Sequence, residues 1–210
     1  MILGDPLYVA FLSFTLVFVA TPGATTAVVV RNTLDGGRRA GLFAALGAAT
    51  ANVIHATVAG LGGATLLRVW PGALDWIRIA GGGYLAWLGL RSLWLAWLGQ
   101  APLALELSDA RAVSHRSWRE GLTVNLLGPI ILTFYLTVVP TFIRPTWPRW
   151  AYGLLAVSHV TMALACHSAW ALSLHRMRAA FRQGGPRRAL GVATGVALLL
   201  LAARVLRRPS

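Results

Sequence analysis

Charged residues are scarce in this 210-residue chain, and lysine is absent from it. Only 12% of the residues are charged and six are acidic, whereas soluble domains usually carry about a quarter charged residues. Apolar runs of about 18 or more residues recur along the chain, which is the pattern that a bilayer-spanning helix requires. The composition excludes an ordinary soluble globule and predicts an integral membrane protein.

Patterns typical of disulfide frameworks, metal clusters and enzymes are also missing. The one cysteine, Cys166, lies inside an apolar run and excludes an intramolecular disulfide. The sequence contains no paired carboxylates, no metalloprotease motif and no nucleophile beside a base. We therefore predict no enzymatic activity, no cofactor and no structural metal.

The basic residues are all arginines, and they fall between the apolar runs. A net charge of +13 would suggest nucleic acid if the arginines formed one face, but this distribution favours anchoring at the surface of a lipid bilayer. Twelve arginines follow the first, third and fifth runs, and seven lie on the opposite side. By the positive-inside rule, both termini are predicted to lie outside.

Six runs near the ~20 residues needed to cross a bilayer predict an all-α protein with six transmembrane helices. They cover residues 6–30, 41–67, 73–99, 121–143, 150–175 and 189–206. A polar connection, 100–120, divides the single domain 1–210 into the halves 1–99 and 121–210. Because three helices per half make the halves enter the membrane in opposite directions, the pattern predicts a 3+3 inverted-topology arrangement.

Two prolines interrupt the first and fourth runs. Pro22 and Pro129 lack an amide hydrogen and are expected to free the carbonyls of Phe18 and Asn125. Each proline lies about 12 Å from the predicted cytoplasmic end of its helix, at ~1.5 Å per residue. Since the two helices run in opposite directions, we predict that the prolines flank one cavity. The alternative is that they only kink their helices.

Small and short polar residues surround both breaks and predict a binding site for a small molecule with ammonium and carboxylate groups. The backbone breaks are formed by Pro22, Gly23, Gly128 and Pro129. The polar side chains near them are Thr21, Thr25, Thr26, Thr123, Asn125 and Thr133.

Among residues that could carry a proton, histidines are the ones that fall well inside the apolar runs. All six acids lie at the ends of predicted helices or between them, so no carboxylate is predicted within the membrane. Imidazole titrates in the physiological range, and His159 and His167 are our candidates for proton coupling. One alternative is that these two histidines and His55 are core residues with satisfied hydrogen bonds. Another is that the three ligate a transported divalent ion, although few other ligands lie near them in the sequence.

Small residues recur at helical spacing on two of the runs. Ala44, Ala48 and Ala51 share the second run, and Gly191 and Gly195 share the sixth. Such spacing lets helix backbones approach closely. It predicts packing within the bundle and leaves a homo-oligomer open.

Several motifs resemble the LysE/RhtB family of amino-acid exporters, which are small six-helix bacterial membrane proteins. The motifs are the break 21–24, the basic turn 37–42, a polar patch with Asn52 and His55, Gly-Tyr-Leu-Ala-Trp-Leu-Gly at 83–89, and Pro-Thr-Phe at 140–142. The resemblance covers almost the whole chain. It implies location in the bacterial inner membrane, and it adds Asn52 and His55 to the predicted substrate site.

The chain departs from the family pattern at the predicted site. Gly128-Pro129-Ile130 stands where the family usually has Asn-Pro-Lys, and Ala51 stands where the second helix often has glycine. His159 replaces an intramembrane acid that relatives often carry on helix five. The sequence predicts a secondary transporter that exports a small amino-acid-like metabolite and is driven by the proton gradient. The first alternative is a non-transporting membrane scaffold or partner subunit, and the second is a divalent-metal exporter.

Overall fold

The computed structural model describes residues 2–62, 72–98, 110–177 and 184–207, and this part of the chain is all-helical. After a 3-10 turn at Ile2–Gly4, it contains α1 (Pro6–Ala20), α2 (Ala24–Gly60), α3 (Ala73–Trp97), α4 (Ala110–Leu126), α5 (Pro129–Thr141), α6 (Ala151–Met177) and α7 (Gly184–Arg207). The predicted all-α class is confirmed.

Helix α2 folds back on itself at Gly37. This residue has a φ of 80°, in the left-handed region that glycine adopts without steric cost. Thr33 and Gly41, four residues to either side, are in direct contact, although in one straight helix they would lie about 12 Å apart. Segments 24–36 and 38–60 therefore lie side by side, and the predicted basic turn between the first two helices is the bend at Gly37.

Several predicted helices have different bounds in the structure. The second was predicted to reach residue 67 but ends at Gly60, and the sixth was predicted to begin at residue 189 but begins at Gly184. The predicted helix 6–30 is two helices, because α1 ends at Ala20 and α2 begins at Ala24. The predicted helix 121–143 is also wrong at its start, since α4 begins at Ala110, inside the segment predicted to be a polar connection. Its first turns resemble a loop in sequence because of their charged residues. Arg111 and Arg119 are indeed exposed, but Val113, Ser114 and Ser117 are buried.

The break at Pro129 bends the chain by 58° between α4 and α5. Within α5, residues Phe134–Val138 form a π-helical turn that ends just before Pro140. Proline cannot donate to the carbonyl four residues earlier, and such a gap is a common cause of irregular helical turns.

By length and hydropathy, two continuous helices of the described chain could cross a membrane: Ala24–Gly60, which includes the bend at Gly37, and Ala151–Leu174. The bent pair Arg111–Leu126 and Pro129–Thr141 would form a third span. The six-span, 3+3 arrangement stays a prediction.

The helices pack through close backbone contacts. Helix α2 packs against α4 and α6, and α3 packs against α7. Gly121 lies so close to the backbone of Ala44 that a Cβ atom would overlap the Ala44 carbonyl oxygen. Gly195 similarly faces the backbone of Gly89. The predicted small-residue stripes therefore pack within one chain.

Candidate functional site

The two proline breaks are short extended segments at helix ends. Thr21 and Gly23 have extended backbone angles between α1 and α2. Gly128 is extended between α4 and α5, and Pro129 occupies the first turn of α5, where its missing amide hydrogen costs no helical hydrogen bond. The local chemistry of proline and glycine therefore positions both breaks.

Asn125, one turn before the second break, is the centre of a buried hydrogen-bond network. Its Nδ2 donates to the Ala48 carbonyl and to Asn52 Oδ1, both at 2.7 Å. Its Oδ1 accepts from Thr25 Oγ1 at 3.2 Å. The amide of Asn125 thus ties α4 to both segments of α2, and Thr25 lies one turn after the first break.

The backbone carbonyl of Asn125, which Pro129 was predicted to free, has two partners. The amide of Gly128 donates to it at 3.1 Å, and His55 Nε2 donates at 3.2 Å. A carbonyl can only accept, so the contact places a hydrogen on His55 Nε2. The structure brings together Thr25, Asn52, His55 and Asn125, which we name the Asn125 network.

Six predicted substrate-site residues are not members of this network. They are Thr21, Pro22, Gly23, Thr26, Gly128 and Pro129. Thr21 is exposed and its hydroxyl donates to the Val17 carbonyl at 2.8 Å, whereas Thr26 is buried. Of the two flanking threonines, Thr123 is half-buried and Thr133 is exposed. A cavity shared by the two prolines stays a prediction.

Glu120, five residues before Asn125, is a buried acid that the sequence interpretation missed. The prediction that no carboxylate is buried in the helices was wrong, because Glu120 is 7% exposed within α4. Arg31 forms an ion pair with it, Asn32 Nδ2 donates to Oε2 at 3.0 Å, and Arg116 Nε donates to Oε1 at 3.2 Å. The signal in the sequence was an arginine at the end of the first apolar run and an acid at the start of the fourth.

Arg91 of α3 is a third arginine beside Glu120. Its Nη1 lies 3.9 Å from Glu120 Oε1. Three guanidinium groups thus surround one carboxylate, which we name the Glu120 cluster. At about 1.5 Å per residue, Glu120 lies one to two helical turns from Asn125 along α4, so the cluster borders the Asn125 network.

His159 lies in a different region, between α1, α5 and α6. Its Nδ1 is hydrogen-bonded to the Tyr135 hydroxyl at 2.7 Å, and its ring centroid lies 4.5 Å from that of Phe134. Its Nε2 is buried without a hydrogen-bond partner among the described residues. His167, two turns further along α6, is also buried. Neither histidine is part of the Asn125 network.

Metal ligands do not cluster in the described part of the chain. No three His, Cys, Asp or Glu side chains there are grouped closely enough to hold a metal ion. Glu106 and Asp109 lie outside the described residues.

Comparison with known proteins assigns the family. The family model of LysE type translocators matches residues 16–208. The uncharacterized membrane protein YahN of Escherichia coli K12 is 31% identical over 94% of this chain and 90% of its own length. The homoserine/homoserine lactone efflux protein of Salmonella typhimurium is 25% identical over 92% of this chain and 93% of its own. The leucine efflux protein of Klebsiella pneumoniae is 28% identical over 72% and 71%, respectively.

No solved structure matches the chain. The family match covers both proline breaks, the Asn125 network and the Glu120 cluster. Together, the apolar helices, the breaks and this match show that the chain belongs to the LysE family of membrane translocators.

Proposed function

We propose that this protein exports a small, amino-acid-like metabolite from the cytoplasm and that the Asn125 network binds it. The observation that carries the proposal is the convergence of four polar side chains, from both segments of α2 and from α4, beside a proline break. The names of the homoserine and leucine efflux relatives support this class of substrate.

The chemistry of the network suits a zwitterion. Asn52 Oδ1 and the Asn125 carbonyl are acceptors for an ammonium group, and the Thr25 hydroxyl, Asn125 Nδ2 and His55 Nε2 are donors for a carboxylate. In the structure these groups satisfy one another, so an entering substrate would replace their mutual hydrogen bonds with its own. Such an exchange keeps the cost of desolvating the site low.

The first experiment identifies the substrate. A strain that overproduces the protein is screened for resistance to toxic concentrations of amino acids, dipeptides and divalent metal salts. We expect resistance to at least one amino acid or derivative. Resistance to metal salts alone would favour a metal exporter, and resistance to nothing would favour the scaffold.

The second experiment tests the site. Asn52→Ala removes one of the two acceptors of Asn125 Nδ2, and we expect it to reduce efflux of the identified substrate about tenfold or more, which corresponds to ~1.4 kcal/mol. The matched control is Thr50→Ala on the same helix segment, where a hydroxyl that donates only to the Leu46 carbonyl is lost. Equal efflux by both variants would place the site elsewhere.

The break itself is tested by Pro129→Ala. Alanine would allow a helical hydrogen bond to the Asn125 carbonyl and would favour a straight junction between α4 and α5. We expect transport to be lost while the protein still inserts into the membrane. Unchanged efflux would show that the 58° bend is not needed for transport.

We further propose that transport is proton-coupled through His159 or His167. His159 Nε2, which has no hydrogen-bond partner among the described residues, supports this choice, since an imidazole can accept a proton there. Replacing the proton-carrying histidine, His159 or His167, by glutamine should uncouple efflux from the pH gradient while substrate exchange continues. If His159→Gln and His167→Gln both retain pH-driven efflux, the proton route does not use these side chains.

We also propose that the protein lies in the bacterial inner membrane with both termini outside. The excess of arginines after the first, third and fifth apolar runs supports this orientation. Cysteine labelling in intact cells, with cysteine placed at Arg111 in a Cys166→Ala background, provides the test. Labelling of position 111 from outside would reverse the orientation.

A further inference from the structure

Helix α3 presents a groove of exposed tryptophans near its C-terminal end. Trp87, Trp94 and Trp97 are each more than half exposed. They line the groove together with Leu90, Arg91 and Leu93. Tryptophan is enriched where a bilayer meets water, so this groove has the composition of a surface at the headgroup level.

Arg91 is the one cation among the described residues that line this apolar groove. Its guanidinium carbon lies 5.6 Å from the Trp87 ring centroid, within the range of a cation–π interaction. On its other side, Nη1 is 3.9 Å from Glu120 Oε1, which is longer than a hydrogen bond. That ion pair therefore leaves the N–H donors of the guanidinium for another acceptor, and the side chain is partly exposed toward the groove.

Positive charge exceeds negative charge around Arg91. Arg31 and Arg116 share Glu120 with it, so three guanidinium groups surround this carboxylate. When Asp35, a second acid within electrostatic range of Arg91, is included, three positive groups still outnumber two negative ones among the described residues. An anion that reached Arg91 through the groove would meet a net attraction.

We propose that the groove binds one anionic phospholipid, with its phosphate on Arg91, level with Trp94 and Trp97, and an acyl chain along Trp87 and Leu90 toward the middle of α3. A phospholipid supplies both a hydrogen-bond acceptor with a negative charge and a flexible apolar chain, and basic pockets on the cytoplasmic side of membrane proteins bind such head groups. This site is separate from the Asn125 network and does not depend on what the protein transports.

A second copy of the chain fits this face less well. A symmetric dimer through this groove would bury the Arg91 side chains of both copies in one apolar interface. Like charges in such a setting repel strongly. A bound anionic lipid neutralises the positive charge of Arg91, whereas a second copy brings a second positive charge into the interface.

The test uses full-length protein reconstituted in vesicles with equal amounts of phosphatidylglycerol and phosphatidylcholine. Lipids that remain bound are counted by native mass spectrometry. One arginine near the membrane surface contributes about a fivefold preference for anionic lipid, so we expect wild type to retain one phosphatidylglycerol with at least that preference. Arg91→Gln should lose it, and Arg91→Lys should keep most of it.

The matched control is Arg78→Gln, which changes the arginine nearer the other end of α3, where Asp75 is its partner. We expect its lipid preference to equal that of wild type. Equal preference in Arg91→Gln and wild type would overturn the proposal. So would efficient cross-linking between copies through Trp94→Cys in a Cys166→Ala background, since a second copy would then cover the groove.

Discussion

The region around Asn125 and Glu120 and the region around His159 are both buried, yet they are built in opposite ways. In the first, glycine and alanine bring helix backbones into contact, and polar side chains satisfy one another across α2 and α4. In the second, large aromatic rings fill the space between α1, α5 and α6, with Phe18 and Phe134 stacked at 4.8 Å between centroids.

The aromatic region also contains two buried polar atoms without a hydrogen-bond partner in the described chain, Thr15 Oγ1 and His159 Nε2. Such atoms cost about 1–3 kcal/mol each when they stay unsatisfied. A π-helical turn, Phe134–Val138, lies in the same region. The comparison indicates that the polar region is closely packed with its hydrogen bonds satisfied, while the described part of the aromatic region retains unused hydrogen-bonding capacity beside a histidine.

Glu120→Gln should have the largest effect. It removes the one carboxylate that Arg31 and Arg116 contact together, and breaking a buried ion pair costs about 3–5 kcal/mol. The free energy of unfolding in detergent measures the loss. Asp75→Asn, at the more exposed pair with Arg78, is the control and should cost less than ~1 kcal/mol. Similar values for both would mean that the Glu120 cluster does not stabilise the fold.

Gly121→Ala tests the close packing of the polar region. A Cβ atom there would overlap the Ala44 carbonyl oxygen, which belongs to the backbone and cannot rotate away. We expect a loss of about 2–3 kcal/mol, seen as a lower melting temperature. Gly83→Ala is the matched control, because a Cβ at Gly83 meets nothing within 4 Å.

Tyr135→Phe tests the one side-chain hydrogen bond that His159 makes among the described residues. Its loss leaves Nδ1 of the buried imidazole unsatisfied, and we expect the free energy of unfolding to fall by about 1–2 kcal/mol. Phe142→Leu, which changes a ring in the same aromatic cluster without touching His159, separates lost packing from the lost hydrogen bond. The NMR signal of His159 should shift only in Tyr135→Phe.

Thr15→Val should have the smallest effect and the opposite sign. Valine has nearly the same shape and removes a buried hydroxyl that lacks a partner in the described residues, so stability should rise by up to about 1 kcal/mol. Thr33→Val is the counterpart in the polar region, where the hydroxyl donates to the Val29 carbonyl at 2.8 Å, and it should not be stabilising. A destabilised Thr15→Val protein would show that this hydroxyl is in fact used.

Local chemistry explains which features were predictable. The breaks at Pro22 and Pro129 follow from the missing amide hydrogen of proline, and the structure has α1 end at Ala20 and α4 at Leu126. The basic turn follows from Gly37, whose left-handed backbone is available to few other residues. Asn125 was predicted as a site residue because it lies beside such a break.

The start of α4 was not predictable in the same way. Residues 110–120 are rich in charge, and hydropathy assigns such a segment to water. Glu120 is nonetheless buried, because Arg31 reaches it from a position 89 residues earlier in the chain. Hydropathy describes a residue by its own side chain and cannot include a distant partner that neutralises its charge.

The sequence by itself determined the all-helical class, the positions of the breaks and the family, since these depend on apolar composition, on proline and glycine, and on motifs read along the chain. Only the tertiary structure decided that Asn125 meets Asn52 and that Glu120 meets three arginines. Those contacts join residues on separate helical segments, and their geometry depends on how closely the glycine-lined backbones pack.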